Sequence, residues 1–176
     1  MISSSISIVG CGLVGSNIAI AISENKLCET IRLYDYSTTV KNENYFPFKN
    51  VIPGIKKADI VALNILKLNE NMKVFCNYNI VENKIDDELV IDCRDYKDPC
   101  IFSDITISCD SHSLILDSRK NRGNTDFSHP YYYSKLNCSF WIKIQVDFIN
   151  KYLKEKRYLE NKKILCDFKD NIIFEL

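Results

Sequence analysis

The stretch SISIVGCGLVGSNIAIAISEN, residues 5–25, constrains the fold more than any other part of the chain. SISIV at 5–9 reads as a buried strand, and 14–25 reads as a helix with Ile18, Ala19 and Ile22 on its inner face. Between them lies Gly10-Cys11-Gly12-Leu13-Val14-Gly15. In such a strand-to-helix turn the first glycine permits the tight bend. The second lets backbone approach a phosphate, and the third lets the helix pack close to the strand. The amide groups and dipole at the helix start then favour an anion. ETIRLYD at 29–35 is a second strand, and its final Asp35 falls about twenty residues beyond the loop, where a carboxylate accepts ribose hydroxyls. Gly10, Gly12, Gly15 and Asp35 therefore predict a nucleotide site.

The succession continues in the same style. IKKADIVALNILKLN at 55–69 places Ile60, Leu63 and Leu66 or Lys67 at helical spacing, MKVFCNYN at 72–79 alternates as a strand, and ELVIDC at 88–93 is a short buried strand. Strand, helix, strand, helix, strand, strand predicts an α/β Rossmann-like fold, a mostly parallel sheet with helices on both faces. Beyond Asp95 the pattern is less regular. IFSDITISC and HSLILD are strand-like, 119–134 reads as a loop, 140–160 as an amphipathic helix, and KKILCDF with NIIFEL as a closing hairpin. With 176 residues, one domain is expected, comprising a nucleotide-binding half at 1–96 and a divergent half at 97–176.

Which nucleotide the loop serves turns on the segment after Asp35. Residues 36–55 form an excursion far longer than the two to six residues usual between a strand and a helix. It leads into Gly54-Ile55-Lys56-Lys57-Ala58, so lysines open the next helix. Cations at a helix N-terminus oppose its dipole, and a polyphosphate opposite would resolve the conflict. The strand LVIDCRD ends in Asp95, at the carboxyl edge where doubly wound sheets bind ligands. A phosphate-binding lysine and a magnesium-binding acid suit ATP. They have no evident role in hydride transfer from NAD.

Composition excludes several other classes. Twenty-three basic residues balance twenty-three acidic ones, so no global field favours nucleic acid or an acidic membrane. No signal-peptide pattern opens the chain, and no apolar run approaches the roughly 20 residues of a spanning helix, so a cytoplasmic protein is expected. The eight cysteines include no C-x-x-C pair. Reduced thiols are expected in place of zinc motifs or disulfides.

The elements GCGLVGS at 10–16, LYDYS at 33–37, VKNENYFPF at 40–48, GIKKAD at 54–59 and VIDCRD at 90–95 resemble the ubiquitin-activating-enzyme-like family of ThiF/MoeB adenylating domains. The resemblance covers a little over half the chain. It implies that Gly10, Gly12 and Gly15 shape the nucleotide loop and that Asp35 holds the ribose. Lys57, with Lys56 as the neighbouring alternative, would meet ATP phosphate, and Asp95 would organise Mg²⁺ near the α-phosphate. Adenylation of a carboxylate would follow, that of the C-terminus of a ubiquitin-like or sulfur-carrier protein, in a homodimer.

The chain also departs from that pattern. Ser37 stands where the family has a second acid. Asn42 or Asn44 covers the asparagine of the family's asparagine–arginine–glutamine signature, but its arginine falls near Tyr45 or Phe46. Arg94, Arg119 and Arg122 are the arginines that could stand in for it. A catalytically degenerate pseudoenzyme acting as an interaction module is the first rival reading, and a small NAD-binding protein is the second.

Cys100, Cys109 and Cys138 follow the Asp95 strand, and in Cys109-Asp110-Ser111-His112 a cysteine and a histidine are close. A nearby imidazolium lowers a thiol pKa, which makes Cys109 a candidate nucleophile. A strand-end cysteine beside a surface histidine is the plainer reading. His129-Pro130-Tyr131-Tyr132-Tyr133 reads as packing more than as a ligand platform. Phe140, Trp141, Ile144, Phe148 and Ile149 read as the buried stripe of a helix whose outer face is basic.

Overall fold

A computed structural model describes residues 3–40, 46–79, 81, 84–94, 103–109, 113–118, 135–155, 163–167 and 172–175. The elements run β1 (Ser3–Val9), α1 (Leu13–Glu24), β2 (Cys28–Tyr34), α2 (Lys57–Leu68), β3 (Lys73–Asn77), β4 (Leu89–Asp92), β5 (Ile105–Cys109), β6 (Ser113–Asp117), α3 (Lys135–Glu155), β7 (Lys163–Asp167) and β8 (Ile172–Glu175).

The strands make one eight-stranded sheet in the order β3-β2-β1-β4-β5-β6-β7-β8. β3, β2, β1, β4 and β5 are parallel, and the last three strands join antiparallel. The fold is thus α/β and Rossmann-like, and the closing hairpin β7–β8 forms where the sequence placed it. The chain runs outward from β1 through β2 to β3, then crosses back to β4 on β1's other side. That reversal is a topological switch point, where two strand ends diverge and leave a crevice.

Register explains which residues form the core. Ile6 pairs with Ile31 and Leu89, Ile8 with Leu33 and Ile91, Ile91 with Ile105, and Ile107 with Leu116. Paired residues share a face of the sheet, and these are fully buried. Onto that face pack the helices. α1 buries Ile18, Ala19 and Ile22, as expected from its spacing.

α2 lies close to its expected range but is rotated. Ile60 is buried together with Ala58, Val61 and Ile65, whereas Leu63 and Leu66 are exposed. In a segment this rich in apolar residues more than one stripe fits a 3.6-residue period, and tertiary packing selects among them. α3 begins five residues before the expected 140, and among its described side chains Ile142, Gln145, Val146, Ile149 and Leu153 are buried. Ile144 and Phe148 are partly buried and pack against the core, while the side chains of Phe140 and Trp141 lie outside the described residues.

α1 touches both α2 and α3, so the three described helices form one layer. Helices for the opposite face are not among the described residues. That face of β1 is polar: the Ser5 and Ser7 hydroxyls donate to Asp87, which also pairs with Arg32. β1 is thus the buried strand expected, with Ile6 and Ile8 on its apolar side and the buried Ser7 on its polar side.

Candidate functional site

Parallel strands bring their carboxyl ends to a single edge, and the described part of the crevice is built there. Val9 and Gly10 follow from β1, Tyr34 to Ser37 from β2, Asn79 and Val81 from the connection after β3, and Cys93 and Arg94 from β4. Lys57 opens α2, and with Gly12 these residues line a cleft of about 250 Å³.

The three glycines occupy three different environments. Gly10 has φ +90°, a conformation that residues with a Cβ avoid. A Cβ on Gly15 would sit 1.8 Å from the Gly10 carbonyl oxygen, so this glycine sets the approach of α1 to β1. A Cβ on Gly12 would meet nothing within 4 Å. Packing within the described protein therefore does not require Gly12. The open space before it is at the N-terminal end of α1, where helix amides attract an anion.

Asp35 sits just past β2, half-buried. Its Oδ2 accepts the Cys11 amide at 2.6 Å, and its Oδ1 accepts the Ser37 amide at 2.7 Å. The carboxylate thus ties the glycine loop to the start of the excursion. A carboxylate offers about four acceptor sites, so both oxygens retain capacity for hydroxyl donors. Cys11 itself is fully buried, and burial, followed by the Asp35 charge, pushes its thiol well above the ordinary range while Lys57 opposes the shift. At neutral pH it is a protonated packing residue.

The two lysines separate clearly. Lys57 lines the cleft, its Nζ 5.6 Å from the centroid of the buried Phe48 ring. Lys56 turns away: its Nζ donates to the Tyr36 carbonyl at 2.7 Å and lies 5.6 Å from the Tyr78 ring centroid. The excursion is closed at its neck by Thr39. That buried hydroxyl donates to the Ile52 carbonyl at 2.8 Å and accepts the Ile55 amide at 3.2 Å. Its backbone pairs with Ile55 and Gly54, so the two ends of the excursion are tied together just before Lys57 enters the cleft.

Gly10, Gly12, Asp35 and Lys57 of the expected site therefore come together, with Gly15 behind them. Asp95, Asn42, Asn44, Cys100, His112, Arg119, Arg122 and the run from His129 to Tyr133 lie outside the described residues. Cys109 ends β5; its side chain and that of Cys138 lie outside the description. Tyr36, Asn79 and Val81 line the cleft unforeseen, because nothing in an irregular connection signals which residue turns inward. Among the described residues no group of three His, Cys, Asp or Glu side chains is placed to hold a metal ion. No described helix is long and apolar enough to cross a membrane.

No protein-family model matches the sequence, and no curated protein matches it. Solved structures do match in fold. The structure of MccB from E. coli with MccA superposes with TM-score 0.79 at 12% identity, covering 98% of this chain and 63% of that one. PaaA gives TM-score 0.73 at 18% identity, covering 98% and 63%. MccB from E. coli with ATP gives 0.73 at 13%, covering 98% and 62%. The chain thus spans less than two thirds of the length of these proteins, and at such identities the likeness concerns the fold, whose neighbours are of the ThiF/MoeB-like kind.

Proposed function

We propose that the chain binds ATP in this cleft and transfers its adenylyl group to a carboxylate. The observation that carries the reading is the open space at Gly12. Elsewhere in the loop the glycines answer to the protein's own packing, and here the backbone is bare toward the cleft. In this reading Asp35 meets the ribose hydroxyls, the loop amides and Lys57 meet the phosphates, and Tyr34, Tyr36 and Val81, which line the cleft, offer apolar surface to a base. In the reaction a carboxylate oxygen attacks the α-phosphorus, the bond to the β-phosphate oxygen breaks, and pyrophosphate leaves. The protein's part is to fix geometry and offset the charge on the phosphates.

The acceptor in this reading is the C-terminus of a small ubiquitin-like or sulfur-carrier protein, or a peptide. The likeness to MccB, solved with MccA and with ATP, supports a polypeptide acceptor. Mg²⁺ held with Asp95, a contribution from Asn42 or Asn44, a homodimer and a cytoplasmic setting complete the proposal. A binding module that holds ATP without transferring it is the second reading, favoured by the excursion, which contains no arginine between residues 36 and 55.

Thermal unfolding with ATP/Mg²⁺, AMP and NAD⁺ in parallel tests the first step. At a hundred times Kd a ligand adds about 2.7 kcal/mol, a rise of about 5–10 °C in Tm at this size. We expect that rise with ATP/Mg²⁺ and none with NAD⁺; the reverse would overturn the reading. Exchange of labelled pyrophosphate into ATP, dependent on a polypeptide with a free C-terminus, then separates transfer from binding alone.

A further inference from the structure

We propose that Arg94 is the cation that meets the phosphate chain alongside Lys57, and that the buried Asp92 positions it. The inference rests on the nucleotide reading above and assigns a residue to it. Arg94 lies two residues past the end of β4 and lines the cleft. Its Nε and Nη2 donate to the two oxygens of Asp92, each at 2.9 Å, and its backbone amide donates to Oδ1 at 3.1 Å. This is the two-pronged geometry in which a guanidinium and a carboxylate match best. Asp92 is the last residue of β4 and only 1% exposed, so the sheet itself fixes the anchor.

The arginine stem also lies against the nucleotide loop: a Cβ on Gly10 would come within 2.9 Å of Arg94 Cγ. The absence of a side chain at Gly10 is thus what lets Arg94 sit this close to the loop.

Charge gives the arrangement its purpose. Among the described residues lining the cleft, Asp35 is the acid and Lys57 and Arg94 are the cations. Lys57 alone would only offset Asp35. Arg94 brings a second cation to the lining, and Asp92, buried beneath it, balances the formal count while leaving the cation as the group that lines the cleft. Asp92 engages two of the five guanidinium N–H donors. An arginine already held in one orientation loses little conformational freedom when an anion arrives.

The plainer account is that Arg94 serves only to neutralise a buried aspartate. The two accounts differ in what they predict for a series of ligands. Titration calorimetry of the whole chain with adenosine, AMP, ADP and ATP separates base and ribose contacts from phosphate contacts. The central variant carries Asp92→Asn and Arg94→Gln together, which removes both charges at once and leaves no buried ion unpaired.

We expect the double variant to bind ATP at least tenfold more weakly and adenosine within twofold of the unchanged chain. Equal weakening of both ligands, or of neither, would overturn the assignment. Arg94→Lys keeps the cation that Asp92 requires and serves as the second probe. A loss of threefold or more for ATP with none for adenosine supports the anchored fork, and full retention overturns it. Asp92→Asn alone leaves the arginine unanchored: weaker ATP binding supports the positioning role, and equal or tighter binding overturns it. Failure of the nucleotide reading would be visible separately, as no ATP binding by the unchanged chain.

Discussion

The sheet divides into a parallel half, β1 to β5, and an antiparallel half, β6 to β8, and the described cleft belongs wholly to the first. Every residue lining it falls between Val9 and Arg94. The cause is directional. Parallel strands deliver their carboxyl ends, with the turns that follow them, to one edge, and the reversal of strand order at β1 and β4 opens that edge into a crevice. Antiparallel strands send successive ends to opposite edges, so the second half extends the core through Leu116, Ile164 and Cys166 and places none of its described side chains in the crevice. Among the described residues, the first half both lines the cleft and carries most of the core, and the second extends the core alone.

The sharpest way to break this comparison is inside the glycine loop, where both tasks meet. Gly15→Ala would push a Cβ to 1.8 Å from a backbone oxygen that has no side-chain freedom to move away. We expect a loss of about 3 kcal/mol or more, read from the urea midpoint. Gly12→Ala would meet nothing. It should cost about 1 kcal/mol or less as a poorer helix cap while weakening ATP binding on the order of tenfold. Equal stability losses at the two positions would show that Gly12 is a packing glycine and remove the chief support for the phosphate site.

The difference between the halves also governs what could be read in the sequence. The glycine loop and Asp35 were legible because backbone geometry and a strand end fix them locally. Strand positions were legible from alternation and from short buried runs. The burial stripes were less so: in α2 and α3 tertiary contacts chose Val61, Ile65, Val146 and Leu153 from several apolar sets compatible with a helix. Thr39 left no signal at all, since its role depends on partners 13 and 16 residues away across an irregular loop. The Asp92 and Arg94 pair was written two letters apart, yet nothing in VIDCRD shows that the two side chains meet each other at the mouth of the loop. The choice between Lys56 and Lys57 was equally closed to periodicity, because it depends on where the excursion re-enters α2.

That choice provides the next test, smaller in effect. Lys57→Ala removes a cation from the cleft, and we expect ATP affinity to fall about tenfold, near 1.4 kcal/mol, with adenosine affinity unchanged. Lys56→Ala removes a cation that is not part of the cleft lining and is already bonded to the Tyr36 carbonyl, and ATP affinity should stay within twofold. A larger effect at Lys56 would reverse the assignment and require the excursion to enter α2 differently when nucleotide binds.

The smallest effect is expected in the antiparallel half and tests whether polar groups there are structural. Gln145 is fully buried in α3, and its Nε2 donates to the Cys166 sulfur on β7 at 3.0 Å. Its Oε1 has no hydrogen-bond partner among the described residues. Burying an unsatisfied carbonyl costs free energy, whereas an apolar residue of similar shape removes both the weak bond to sulfur and that cost. Gln145→Leu should therefore change stability by about 1 kcal/mol or less, in either direction, and leave ATP binding untouched. The two readouts separate the possibilities. A substantial destabilisation with normal binding would mean that Gln145 joins α3 to β7 more firmly than its single weak bond suggests. A loss of ATP affinity at unchanged stability would mean that the second half reaches the site after all, and the division of labour between the halves would have to be abandoned.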